Sequence, residues 1–209
     1  ATLSSVMVMG AIPVFCEVDK HGMMSVEHLP QCMNEKVKAV LATGLYGDVH
    51  DHQTIKDFCS KNNLTYINDA AQSQFAKNNG AGTYGAMLTD DAETYEKLRA
   101  LRKNGKPTRL EEYSTAGYSS QPEEEKAVQI LASWEHLDKW QKRRHEIADY
   151  YNTQFKDKIE VRPRPVYSEW NAHKYAIIVE NKFEAYKTML ADGVETEQHY
   201  ADNFAKLQW

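Results

Sequence analysis

One pattern constrains this chain more than any other. In its first half, short apolar runs bounded by turn residues alternate with stretches of helical period. Ile12–Pro13–Val14–Phe15–Cys16–Glu17–Val18 reads as a buried strand, and Ser25 offers an N-cap to a short helix that Pro30 shortens. Val37 to Thr43 reads as a second strand, closed by Gly44 and Gly47. Ile55, Phe58 and Cys59 then fall on one helical face. Leu64 to Asp69 is a third strand and Ala86–Met87–Leu88–Thr89 a fourth. Asp90 or Asp91 caps a helix through Tyr95, Leu98 and Leu101 that Gly105 stops. Strands separated by helices specify βαβ units and a mostly parallel sheet.

The second half changes character. Pro122 and Glu123 to Glu125 suit the first turn of a helix, where the macrodipole favours anions. Ala127, Ile130, Leu131, Trp134 and Leu137 trace one face, and the period continues through Ile147 and Tyr151 to Phe155. Beyond it, Lys174 to Val179 is a strand, Phe183 to Leu190 a helix, and Val194 to Tyr200 a further strand. The expected division is a large α/β domain over 1–120, a long connecting helix over 121–157, and a small α+β domain over 158–209.

Composition narrows the partners. With 25 Lys and Arg against 30 Asp and Glu, the net charge is −5, and the basic residues are spread out except for Lys139, Lys142, Arg143 and Arg144. This argues against nucleic acid, which needs a concentrated basic surface. No apolar run has the roughly 20 residues that span a membrane, and Ala1 to Gly10 show no charged leader, so a cytoplasmic protein is expected. Cys16, Cys32 and Cys59 are odd in number and widely spaced, which predicts reduced buried thiols rather than a disulfide framework or a metal site. His50–Asp51–His52 lacks further ligands at a recognisable spacing, so no metal is expected there either.

Leu45–Tyr46–Gly47–Asp48, followed after a helix by Asn68–Asp69–Ala70–Ala71–Gln72–Ser73, resembles the core of the DegT/StrS sugar aminotransferases. Other segments resemble that family in the same order: Ala1–Thr2 through Gly10–Phe15, Gly85 to Thr89, Leu98 to Gly105, Gly117–Tyr118–Ser119–Ser120 and His199–Tyr200. The resemblance implies a three-layer α/β/α large domain of the pyridoxal-phosphate fold type I, like aspartate aminotransferase, with a small α+β domain. It implies pyridoxal 5'-phosphate as cofactor, an amino-acid donor (glutamate), a keto nucleotide-linked deoxysugar as acceptor, and a homodimer. Asp69 would hold the proton on the cofactor's ring nitrogen, because the ring is an electron sink only while that nitrogen is protonated. Gln72 would sit beside the ring, Ser119 would reach the cofactor across the dimer, and Tyr46 and His199 would meet the substrate.

The family's Schiff-base lysine lies between the Asp-Ala-Ala-Gln turn and the Gly-Gly-Ala strand, two landmarks that are nearly adjacent here. In one alignment the lysine segment is absent. In the other, Phe75 to Ala81 imitates it and Lys77 is the Schiff base. The first is preferred, because a loop rich in Asn and Gly places a nucleophile poorly. Ser119 and Gln121 stand where the family has asparagine and arginine. A non-catalytic homologue that binds a nucleotide sugar or a protein partner is therefore the alternative to an enzyme.

Overall fold

In a computed structural model, the chain is described over residues 2–74, 86–108, 112–166 and 170–200. It divides into two compact units. The first joins Ala1–Gly80 with Arg144–Trp209, and the second is Ala81–Arg143.

The first unit is centred on a parallel pair, β1 (Ala39–Thr43) and β2 (Thr65–Asp69), connected by helix α2 (His52–Lys61). The register runs from Ala39 opposite Thr65 to Thr43 opposite Asp69, so the two strands end side by side. Asp51 caps α2 by accepting hydrogen bonds from the Thr54 amide at 3.2 Å and its hydroxyl at 2.8 Å. Val40, Ala42, Ile55 and Cys59 close the crossover onto Leu29, which comes from a 3-10 helix over Val26–Cys32. This is the core of the unit. Helix α1 (Thr2–Val8) precedes it.

The later part of the same unit holds the end of α5, an antiparallel pair and a helix. Helix α5 is Leu137–Phe155 and crosses the division between the units. Strand β3 (Glu160–Val161) pairs with β4 (Ile177–Ile178), and α6 spans Lys182–Ala191. Tyr151 stacks on Phe155 and meets the Tyr175 ring edge-on at 5.2 Å, which fastens the helix end to the segment leading into β4. In the second unit, α3 (Ala92–Leu101) is capped by Asp91 and α4 spans Glu124–Trp134. The residues from Ser114 to Ser120 lace back onto the end of α3 at Gly105, where φ is +87° and a Cβ would lie 1.8 Å from the Thr115 carbonyl oxygen, which excludes any side chain.

Several expected elements take another form. Residues 12–18 form no strand and pair only through a Val18–Met24 bridge, and 86–89 and 194–200 form no strand either. Apolar content promotes burial, but a ladder needs a neighbour to bond, and among the described residues the one ladder longer than two residues is that of β1 with β2. Ile12 stands 89% exposed as a result. The helical period from Ala127 to Phe155 is carried by α4 and α5, with a turn at Glu135–His136 between them. Helix α1, which a run of valine and methionine does not announce, was not anticipated. Cys16, Cys32 and Cys59 are free thiols, the last two buried. Among the described residues, no helix is long and apolar enough to cross a membrane.

Candidate functional site

The carboxyl ends of β1 and β2 open into two turns, 44–48 and 69–74, that face each other. Asp69 is the last residue of β2. Its Oδ2 accepts a 2.5 Å hydrogen bond from the Thr2 hydroxyl and its Oδ1 one of 3.2 Å from the Ala71 amide. Both donors are neutral, and a carboxylate has about four acceptor positions, so capacity for a further N–H remains. Gln72 bridges the two turns: its Oε1 accepts from the Tyr46 amide at 3.0 Å, and its Nε2 donates to the Tyr200 hydroxyl at 3.1 Å.

Tyr46 and Gly47 both adopt positive φ, +60° and +101°, which turns the chain sharply after β1. At Gly47 a Cβ would lie 2.1 Å from Asn171 Oδ1, so the residue must be glycine. The space it leaves is taken by the 170–174 segment. Trp170 Nε1 donates to the Tyr46 carbonyl at 2.8 Å, the Asn171 amide N–H to the Gly47 carbonyl at 3.0 Å, and Asn171 Nδ2 to the carbonyls of Gln72 and Gln74 at 3.0 and 2.6 Å. The Tyr46 hydroxyl donates to the His199 carbonyl at 2.7 Å. The His199 Nε2 accepts from Lys174 Nζ at 2.7 Å, and Lys174 also pairs with Glu197 at 3.1 Å.

Under Tyr46, the buried Asp48 carboxylate pairs with the Arg162 guanidinium, which lies 4.9 Å from the tyrosine ring centre and donates to the His21 carbonyl at 2.7 Å. Burial pushes the Tyr46 phenol up, against the opposing pull of Arg162. Burial and the positive charges of Lys174 and Arg144 hold the His173 imidazole below its ordinary range. Four residues singled out in the sequence, Tyr46, Asp69, Gln72 and His199, thus lie on one connected set of turns. Arg162, Trp170, Asn171 and Lys174 complete it, and no local pattern announces them. Ser119 belongs to the second unit, where it is exposed and bridged to Lys103. Lys77 lies outside the described residues.

In open α/β sheets ligands gather outside the carboxyl ends of the strands, where these turns lie. Sequence comparison is more specific. The profile of the DegT/DnrJ/EryC1/StrS aminotransferase family matches residues 1–86 and 76–209, and the chain belongs to that family. A "pleiotropic regulatory protein" of Geobacillus stearothermophilus is 27% identical over 96% of this chain and 61% of its own length. A UDP-N-acetyl-3-dehydro-alpha-D-glucosamine 3-aminotransferase of Acidithiobacillus ferrooxidans is 28% identical over 96% of this chain and 60% of its own. The fold superposes with a TM-score of 0.89 on Streptomyces venezuelae DesV, solved in complex with a ketimine intermediate, at 24% identity over 98% of this chain and 62% of that one. The chain thus spans about three-fifths of the length of these relatives. Its alignment with the Geobacillus protein runs over 227 residues, more than the 209 present here, so that relative has residues without a counterpart.

The family's cofactor is pyridoxal phosphate, and the described residues offer one group whose chemistry suits its ring nitrogen. Asp69 is a carboxylate held by neutral donors with acceptor capacity to spare.

Proposed function

We propose that the protein to which this chain belongs transfers an amino group from an amino acid, glutamate in the first instance, to a keto carbon of a nucleotide-linked deoxysugar. Asp69 carries this reading, since it ends β2 on the turn that Gln72 joins to Tyr46. Pyridoxal phosphate, when bound, supplies an electron sink for proton removal at the amino-bearing carbon. Asp69 would keep the ring nitrogen protonated, Thr2 and the Ala71 amide would orient its carboxylate, and Gln72 would fix the edge of the site. Tyr46 and His199 would border the sugar. The complete large domain would be the three-layer sheet of the fold type, with the small domain over 158–209 beyond the helices of 121–157. The protein would act in the cytoplasm as a homodimer, with Ser119 reaching the partner's cofactor.

A second reading has specific support. Ser119 and Gln121 depart from the family's asparagine and arginine, the alignment leaves relatives' residues without counterpart, and one relative is named a regulatory protein. A non-catalytic homologue that binds a nucleotide sugar or a protein partner would carry these features. Borohydride treatment of the full-length protein with pyridoxal phosphate separates the two. The enzyme retains cofactor covalently on a lysine, and Asp69→Asn lowers amino transfer by about a hundredfold or more while cofactor attachment persists. No covalent retention at saturating cofactor would establish the non-catalytic reading.

A further inference from the structure

Away from the strand ends, three potential metal ligands converge where no local motif predicts it. Cys16 lies in the unpaired 12–18 segment, while His28 and Cys32 are four residues apart on the 3-10 helix. The two sulfurs and His28 Nδ1 all lie within 4.8 Å of one another. His28 Nδ1 is 3.8 Å from Cys16 Sγ and 3.5 Å from Cys32 Sγ. A tetrahedral zinc ion with Zn–S near 2.3 Å and Zn–N near 2.0–2.1 Å places sulfur and nitrogen about 3.6 Å apart. The observed separations bracket that value.

Hydrogen bonding alone does not require this convergence. The Glu17 amide donates to His28 Nδ1 at 3.3 Å, which assigns the ring proton to Nε2 and makes the Nδ1 lone pair the acceptor, so a cation at Nδ1 would take that lone pair from the amide. That single lone pair cannot serve an amide and two thiols together. The thiols have other acceptors, the Ser25 carbonyl for Cys16 at 3.4 Å and the Phe15 and His28 carbonyls for Cys32, each at 3.6 Å. The nitrogen and both sulfurs thus stand close enough together for one cation to bridge them. Two thiolates and an imidazole are the donors of a thiophilic d10 ion, whereas calcium and magnesium take oxygen.

We propose that Cys16, His28 and Cys32 form a three-donor site for a thiophilic cation, zinc in the first instance, with water in the fourth position. Loading replaces two S–H bonds with two metal–sulfur bonds and releases both protons to solvent. The ion would fasten the 12–18 segment more firmly to the 3-10 helix and so to Leu29 and the core, reinforcing the Val18–Met24 bridge and the Glu17–His28 hydrogen bond.

Cobalt titration of the full-length protein, reduced, freed of metal and without pyridoxal phosphate, tests the site. One cobalt ion per chain is expected, with thiolate-to-metal charge-transfer absorption that zinc abolishes. C16S and C32S should each lose most of that absorption and weaken uptake by more than about tenfold, while H28Q weakens uptake but retains the absorption. Zinc should also raise the melting temperature of the parent protein and leave that of C16S unchanged. Absence of charge-transfer absorption in the reduced parent protein overturns the proposal, as does absorption that survives undiminished in both cysteine variants. Recovery of a Cys16–Cys32 disulfide whose reduced form takes up no metal overturns it as well.

Discussion

The β1–α2–β2 crossover and helix α4 are written in the same apolar alphabet but end in opposite environments. Ile55 and Ala42 in the crossover are fully buried. Helix α4 has an equally regular apolar face, yet none of its residues is buried, and Leu131 is 68% exposed. The difference lies in what each face has to pack against. The crossover supplies its own partners, since β1 pairs with β2 and α2 covers both. Helix α4 must find its partner elsewhere. Periodicity therefore fixes which face of an element is apolar, and tertiary context decides whether that face is covered.

The largest effect expected lies under the crossover's turns. Arg162→Met should destabilise the protein by about 3–5 kcal/mol in denaturant unfolding, because it strands the buried Asp48 carboxylate without a counter-charge. A loss near that of a surface ion pair, below about 1 kcal/mol, would show that water reaches Asp48.

A paired substitution tests the comparison itself. Ile55→Ala should cost about 2–5 kcal/mol and Leu131→Ala less than about 0.5 kcal/mol, measured as shifts in the urea midpoint. Equal losses would mean that α4 is covered in solution, and sedimentation of the two variants would then show whether a second copy covers it. Trp134 and Tyr150 are exposed on α4 and α5 and belong to the same question, whereas Tyr151 is committed to Tyr175.

Acid should separate the regions by a smaller amount. His50 is buried beside β1, with its Nε2 2.5 Å from the Tyr66 hydroxyl, and that hydroxyl also meets His52 Nδ1 at 2.8 Å. Burial, then the charge of His52, lowers the His50 pKa from 6.5 to about 4, against the opposing pull of Asp51. The unfolded chain takes up this proton first as the pH falls. The contribution is therefore complete above about pH 6.5 and is lost between there and about pH 4, a change of up to roughly 3 kcal/mol. Chemical denaturation across that range should show this slope in the parent protein and a flatter one in His50→Asn. An unchanged slope in the variant would locate the acid sensitivity elsewhere.

How much of this was legible in the sequence depends on the range of the determining contacts. Helices α2, α3 and α6 and strands β1 and β2 follow from local period, Asx caps and glycine or asparagine stops. The 12–18 and 86–89 runs carry the composition of strands, but pairing is set by neighbours that no local window contains. Of the candidate site, Asp69, Gln72, Tyr46 and His199 came from motif resemblance and the structure places them on adjoining turns, with their chemical roles still resting on the proposed function. Asn171 and Trp170 were invisible because their partners, Gln72 and Tyr46, lie 99 and 124 positions away. The approach of Cys16 to His28 and Cys32 was missed for a related reason. Spacing along the chain showed no ligand pair, and it took the path of the 12–18 segment to carry one sulfur back to the helix.

The way the first unit is assembled from both ends of the chain bears on its synthesis. Asp48 leaves the ribosome 114 residues before Arg162, its counter-ion, and Tyr46 leaves 153 residues before His199. At roughly 5–20 residues per second, the interval before Arg162 is on the order of ten seconds. Throughout it, the β1–α2–β2 crossover exists without the segments that close its turns, and the intervening second unit is made in the meantime. The nascent crossover must therefore either persist as a partly folded intermediate or be sheltered, so a slow codon run or a stalled ribosome between residues 81 and 143 would prolong its most aggregation-prone state.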